Sequence, residues 1–314
     1  MPMANVLQSA FHLEEYERHR SLLFGIAYRM LGSVMDAEDL LQEAFLDFQK
    51  HEPGTVRNAR GLLSTIVTRR AMDELKSARV RREAYVGPWL PEPLPDPVAQ
   101  TPDPALQVER DESLSMAFLV LLERLNPVER AVYLLREIFD FDFDEIGAIV
   151  EREPANCRKI LSRARDAIAR DRPRFEPRTG QQQELLQRFL DACASGNLET
   201  LLELLASDVR LYSDGGGKAA AALNVLSGPD RVARFFIGVV EKAIKNRLPV
   251  ETRPTILNGA LGITLAEAGP ITTALALEFR DGKIADVFLV RNPDKLRHLQ
   301  RDGMAPGGPI SSEH

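Results

Sequence analysis

Apolar residues in the first half of the chain recur at helical spacing. Between Phe11 and Leu31 the set Leu22, Leu23, Ile26, Ala27, Met30 and Leu31 predicts an amphipathic helix, and Gly32 is a suitable stop for it. Ser33 offers a cap, with Asp36 three residues on, to a second helix whose first turn is acidic, as the helix dipole favours. Leu40, Leu41, Ala44, Phe45 and Phe48 form its expected buried side; Asp36, Glu38, Asp39, Gln42 and Glu43 face outward. In the third helical stretch, from Asn58 to Arg82, Leu62, Leu63, Ile66, Val67 and Met72 predict packing. Arg60, Ser64, Thr65, Thr68, Arg69, Asp73 and Lys76 are expected to reach outward. Helix resumes from Asp111 to Arg136, and Asn126-Pro127 with Glu129 marks a helix start inside it.

From Phe143 to Arg165 the pattern splits in two. Phe143, Ile146, Ile149 and Val150 line one side of a short helix, Glu151 to Glu153 break it, and Pro154 opens a second helix. Cys157, Ile160, Leu161, Ala164 and Ile168 recur along that helix, opposite Asn156, Arg158, Lys159, Ser162, Arg163 and Arg165. This is a helix-turn-helix pattern, and its polar face carries groups that pair with guanine and adenine edges in a major groove. A basic face on an amphipathic helix also occurs as a merely solvated one.

Between the helical stretches, Tyr85 to Pro104 is too rich in proline for helix or strand and reads as an extended, stiff linker. It holds Trp89, the one tryptophan, which with Leu90 is expected to anchor it on a folded domain. Beyond the proline-bearing run RPRFEPRTG the pattern changes. Gln181–Ala194, Leu198–Leu205 and Arg231–Ile244 predict helices, and Asp208–Ser213 predicts a short strand. Pro249–Leu257, Leu261–Glu267, Thr272–Phe279 and Lys283–Val290 predict further strands, the last two joined by Arg280-Asp281-Gly282. Helices followed by an antiparallel meander argue an α+β domain whose curved sheet wraps around helices.

With 314 residues, 44% hydrophobic and 27% charged, the chain has room for two or three ordinary globular domains. Cys157 and Cys193 are far apart and form no CxxC, which argues against a disulfide framework or a four-ligand zinc site and fits a reducing cytoplasm. No basic leader precedes an apolar run, and no window approaches the roughly 18 apolar residues of a membrane span. The net charge of −6 conceals two basic patches: Arg57 to Arg82, where Asp73 and Glu74 are the acids, and Arg158 to Arg178. Two contacts with a polyanion are expected, separated by an acidic span that faces basic protein or only solvent.

Several of these stretches, in order, resemble extracytoplasmic-function sigma factors of bacterial RNA polymerase. GSVMDAEDLLQEAF and LLSTIVTRRAMDELKSARVRR resemble sigma region two; LNPVERAVYLLREIFDFDFDEIGAIVEREPANCRKILSRAR resembles region four. The linker YVGPWLPEPL, with LLQRFLDACASGNLETLLELLASDVRLYSDGGGK and VRNPDKL, is similar to the SigJ-like branch, which carries a fused SnoaL-like (nuclear-transport-factor-type) cone. The resemblance implies two all-α sigma modules plus an α+β cone: region two over 1–84, a linker over 85–108, region four over 109–175, the cone over 181–300 and a tail over 301–314. It implies that Asp36, Glu38, Asp39, Gln42 and Glu43 dock on polymerase, and that Asn58, Arg60, Thr65, Thr68, Arg69, Asp73 and Lys76 melt and read the −10 element. Ala155, Asn156, Arg158, Lys159, Ser162 and Arg163 would read the −35 element. Control in cis would run through contacts among Trp89, Leu90, Pro91, Glu92 and Pro93, the segment Asp214, Gly215, Gly216, Gly217 and Lys218, and the segment Asn292, Pro293, Asp294, Lys295 and Leu296. Gly61 departs from the aromatic common at that point of the −10 segment, which leaves the local packing open.

The implied partners are core RNA polymerase and promoter DNA, with no membrane and no separate anti-sigma factor, and with an unidentified small ligand left open for the cone. No cofactor, metal or catalytic residue is expected. None of the five histidines, His12, His19, His51, His298 and His314, falls in the predicted cone wall, and Asp214 beside three glycines suits a turn. Two other classes stay open: a DNA-binding regulator that is not a sigma factor, and an isomerase or cyclase of the cone fold with a helical appendage.

Overall fold

The computed structural model describes residues 2–95, 114–169, 180–246 and 249–301. The linker beyond Pro95, the start of the helix expected from Asp111, the run 170–179 and the tail lie outside these residues. The chain falls into two compact units. The first holds the residues up to Tyr85, Trp89–Glu92 and the helices from Met116 to Ala169; the second holds Val86–Pro88, Pro93–Pro95 and the residues from Gly180 onward.

In the first unit α1 (Pro2–Leu31), α2 (Val34–Phe48) and α3 (Ala59–Glu83) pack on one another. Their buried stripes supply Leu23, Ile26, Ala27, Met30, Leu41, Ala44, Phe48, Leu63 and Val67, and each large apolar side chain so buried contributes about 1.5–3 kcal/mol. Then α4 (Met116–Leu122), α5 (Pro127–Glu137), α6 (Phe143–Val150) and α7 (Pro154–Ala169) form a second helical group in the same unit, with α5 and α6 against α3. The start signal at Asn126 is a full capping box: its side chain accepts from Glu129 N and Glu129 returns to the Asn126 N–H.

The second unit is the α+β domain. α8 (Gly180–Ser195), α9 (Leu198–Leu204) and α10 (Pro229–Lys245) cover a six-stranded sheet, and α11 (Arg297–Arg301) follows its last strand. The strands β1 (Leu205–Asp214), β2 (Leu226–Ser227), β3 (Val250–Leu257), β4 (Ala260–Glu267), β5 (Ile271–Arg280) and β6 (Lys283–Val290) lie in the order β2-β1-β6-β5-β4-β3. Leu205, expected as the end of a helix, begins β1 instead. The sheet is mixed: β3 to β6 form the expected meander, but β1 runs parallel to β6. A connection long enough to hold α10 separates β1 from the meander, and such a crossover permits parallel pairing. One sheet face presents Val209, Leu211, Val287, Leu289, Leu275, Leu277 and Ile263 to Phe189 and Phe236, which meet edge to face.

Candidate functional site

The helix-turn-helix is built by local rules. α6 opens on a capping box between Asp142 and Glu145 and closes at Glu151, whose φ of 56° is the left-handed conformation that ends a helix. α7 buries Cys157, Ile160, Leu161, Ala164 and Ile168. Ala155, Asn156, Arg158, Lys159, Ser162 and Arg163 therefore stand together on its exposed face. The Arg158 guanidinium lies 4.8 Å from the Phe143 ring centroid, which steadies it while leaving its donors outward. A shallow cleft of about 660 Å³ at the turn, lined by Asp144, Gly147, Arg152 and Asn156 among others, borders this row.

α3 starts at Asn58, whose side chain caps the Gly61 N–H at 2.9 Å. A Cβ at Gly61 would come within 2.9 Å of the Asn58 amide, so glycine fits this cap, where an aromatic would crowd it. Arg60 and Arg69 are both engaged by the second helical group. Arg60 lies 4.5 Å from the Phe141 ring centroid and donates to Phe139 O at 3.4 Å. Arg69 donates to Ile149 O at 2.9 Å and Ala148 O at 2.8 Å, and pairs with Glu151 at 3.0 Å. Those carbonyls end α6, where a helix has acceptors without partners of its own and a dipole that favours a cation.

The expected outward face of α3 needs correction. Thr68 and Ser64, both expected to reach outward, are fully buried, and Thr68 leaves the candidate −10 set. The packed stripe is Leu63, Ser64, Val67, Thr68, Ala71 and Leu75, with Leu62 and Ile66 half-buried. Small hydroxyl side chains occupy buried positions on α3 beside Leu63 and Val67, so a count of apolar residues misplaces the face. Thr65 is half-buried and donates to Gly61 O at 2.7 Å, while Asp73 and Lys76 pair with each other in solvent at 2.7 Å.

On α2, Asp36, Asp39, Gln42 and Glu43 are exposed and Glu38 is half-buried, paired with Arg20 at 2.7 Å. A cleft of about 430 Å³ beside them is lined by Asp36, Asp39, Glu43, Asp73 and Glu74, with Arg70. Arg70 also donates to Asp47 at 2.8 Å; Lys50, and then Arg70, hold the Asp47 carboxyl below its ordinary range.

The linker is seated residue by residue. Trp89 lies under the Arg82 guanidinium, 3.6 Å from its ring centroid, and Leu90 is fully buried. Gly32 admits Trp89, since a Cβ there would come within 2.6 Å of the indole. The buried Glu92 carboxylate accepts from Ser33 Oγ (2.8 Å), Val34 N (2.8 Å) and Met35 N (3.2 Å). In the second unit, Pro93 O accepts from His298 Nε2–H at 2.6 Å, and Leu94 and Asn258 exchange hydrogen bonds of 2.8 and 2.7 Å.

The segments 214–218 and 292–295 come together. Asp214 is fully buried and pairs with Lys295 at 2.7 Å, while its carbonyl accepts from Arg291 N and Asn292 N. Asp214 thus does more than serve a turn. The turn itself belongs to Gly216 and Gly217, at φ 57° and 71°. Lys218 pairs with Asp294, and Asn292 caps Asp294 N at 3.1 Å.

Sequence reasoning missed Arg130, Glu123 and His298. Arg130 is buried, donates to Met30 O at 2.6 Å and Leu122 O at 2.5 Å, and pairs with Glu123 at 2.9 Å; Glu123 pairs in turn with Arg82. Nothing in local periodicity announces an arginine that caps a helix a hundred residues away. Among the described residues no group of three or more His, Cys, Asp or Glu is placed to hold a metal, and no helix is long and apolar enough to cross a membrane.

Comparison with known proteins joins these surfaces to a family. Residues 15–81 match the family model for Sigma-70 region 2, and residues 115–168 that for Sigma-70, region 4. The chain is 35% identical over 296 residues to ECF RNA polymerase sigma factor SigJ of Mycobacterium tuberculosis, covering 90% of this chain and 93% of that one. It is 31% identical over 291 residues to a probable ECF RNA polymerase sigma factor, SigI, of the same species, covering 91% and 95%. The crystal structure of Mycobacterium tuberculosis SigJ aligns with a TM-score of 0.71 at 31% identity, over 90% of this chain and 97% of that one.

Proposed function

We propose, for a chain that belongs to the extracytoplasmic-function RNA polymerase sigma factors, that its surfaces divide the work of initiation and that this form holds its −10 surface shut. The protein is an alternative sigma factor: it joins core polymerase and directs it to promoter DNA. In this reading the exposed row on α7, Ala155 to Arg163, reads the −35 element, with Arg158 and Lys159 suited to guanine and Asn156 to adenine. Asn58, Arg60, Thr65, Arg69, Asp73 and Lys76 serve the −10 element, and the acidic face of α2 docks on a basic surface of polymerase. The second unit regulates in cis through the linker, without a separate anti-sigma factor and without catalysis. Its buried Asp214 is neutralised by Lys295, a poor arrangement for a general base. The work is done in the cytoplasm, where polymerase is.

The observation that carries the shut state is the pairing of Arg60 and Arg69 with the ends of α6 and its flanking loop. The Arg69 guanidinium, committed to the Ala148 and Ile149 carbonyls and to Glu151, is withdrawn from phosphates and unstacked bases, and Arg60 rests on the Phe141 ring. Fluorescence anisotropy with a single-stranded −10 oligonucleotide tests this. The chain by itself should bind at least about tenfold more weakly than the chain with core polymerase, a difference of ~1.4 kcal/mol. Equal binding in both states would contradict the shut form.

A further inference from the structure

α2 begins with a difficulty that its own sequence only partly solves. A helix start leaves several backbone N–H groups without partners inside the helix. Ser33 Oγ accepts from Asp36 N at 3.0 Å, but the Val34 and Met35 N–H groups turn to Glu92, a linker residue nearly sixty positions away, at 2.8 and 3.2 Å. The same carboxylate accepts from the Ser33 hydroxyl and so orients the local cap as well. Two backbone bonds hold it there: Glu92 N donates to Gly32 O, and Tyr28 Oη donates to Glu92 O, both at 2.8 Å. A buried carboxylate with three donors at a helix N-terminus is well matched to the positive end of the dipole.

We propose that Glu92 is a positioning residue for polymerase docking: by completing the N-terminal cap of α2 it holds the first turn, and with it Asp36 and Asp39, in the geometry that core polymerase binds. This rests on the reading of α2 as the polymerase-docking helix. The linker therefore supports the docking surface from beneath. Pro93, the next residue in the chain, is bonded in the second unit by His298, which gives that unit a covalent route to the cap. Withdrawing Glu92 from its site strands two N–H groups of α2 at once, and the first turn frays.

The test uses the full-length chain and three variants: Glu92→Gln, Glu92→Asp and Glu43→Lys. A glutamine keeps the size of the side chain but loses the charge and turns an N–H₂ toward donors; an aspartate keeps the charge but is one methylene short. Hydrogen exchange at the Val34 and Met35 amides is read beside affinity for purified core polymerase. Glu92→Gln should speed exchange at these amides by roughly tenfold, the factor a lost helix cap brings, and weaken core binding by a similar factor. Glu92→Asp should lie between. Exchange away from α2 should not change, which a merely destabilised protein would not show. Faster exchange with unaltered core affinity would overturn the positioning role, and unchanged exchange would overturn the cap itself. Glu43→Lys keeps the two ideas apart: if charge reversal there leaves core affinity intact, the docking assignment of α2 has failed and the proposal falls with it.

Discussion

The buried pair of Asp214 and Lys295 should be among the most sensitive points of the second unit. Asp214 has no accessible surface, Lys295 is 7% exposed, and the carboxylate and ammonium are 2.7 Å apart. Replacing Asp214 with Ala removes the buried counter-charge of a largely desolvated lysine, and breaking such a pair from one side costs about 3–5 kcal/mol. The backbone bonds from Arg291 and Asn292 to the carbonyl of residue 214 need no side chain and survive the substitution. Lys218 and Asp294 provide the internal comparison. They pair in the same corner with side chains 55% and 38% exposed, and Lys218→Ala should cost less than about 1 kcal/mol. Calorimetry on the full chain should show the second unit melting at least about 10 °C lower in Asp214→Ala. Adding Lys295→Met should recover most of the loss, because an apolar side chain needs no counter-charge. A single variant that costs less than about 1 kcal/mol, or a double variant no more stable than the single, would refute the reasoning.

Other outcomes follow from the same geometry. Burial pushes the Cys193 thiol up to about 12, so it should resist iodoacetamide at pH 8 in the native protein and react once the protein is unfolded in urea. Glu151 holds a left-handed conformation at the end of α6, so Glu151→Gly should be more stable than Glu151→Ala by about 1 kcal/mol in thermal melts, both variants having lost the ion pair to Arg69. Asn156→Ala and Arg158→Ala lie on the exposed face of α7. Each should leave the melting temperature within experimental scatter while weakening −35 promoter binding by about 1–3 kcal/mol in a gel-shift titration; unchanged binding would count against the assignment.

Strong periodicity was legible and long-range polar contacts were not. Every apolar position expected on α7 is buried, because a stripe of Cys157, Ile160, Leu161, Ala164 and Ile168 leaves one way to pack. The same reasoning misplaced Thr68 and Ser64 on α3, where small hydroxyl residues share a helix interface with Leu63 and Val67. Capping boxes at Asn126 and Asp142 are local and readable, whereas the cap of α2 depends on Glu92 and no pattern near Ser33 points there. Trp89 was rightly expected to dock, but its seat under Arg82 and against Gly32 is a tertiary fact. The parallel pairing of β1 with β6 was also hidden, since a strand's own sequence does not say which neighbour it will find. The candidate −10 residues were named from a resemblance; that Arg60 and Arg69 already hold partners could be learned only from the fold.

The central claim, promoter-specific initiation through the polar face of α7, is tested most directly by run-off transcription with purified core polymerase on promoters selected from a random library. The full-length chain should give promoter-dependent transcripts, and a variant carrying Asn156→Ala, Arg158→Ala and Arg163→Ala should lose them while keeping its melting temperature. Absence of transcripts from a full-length chain that binds both core polymerase and DNA would contradict the account.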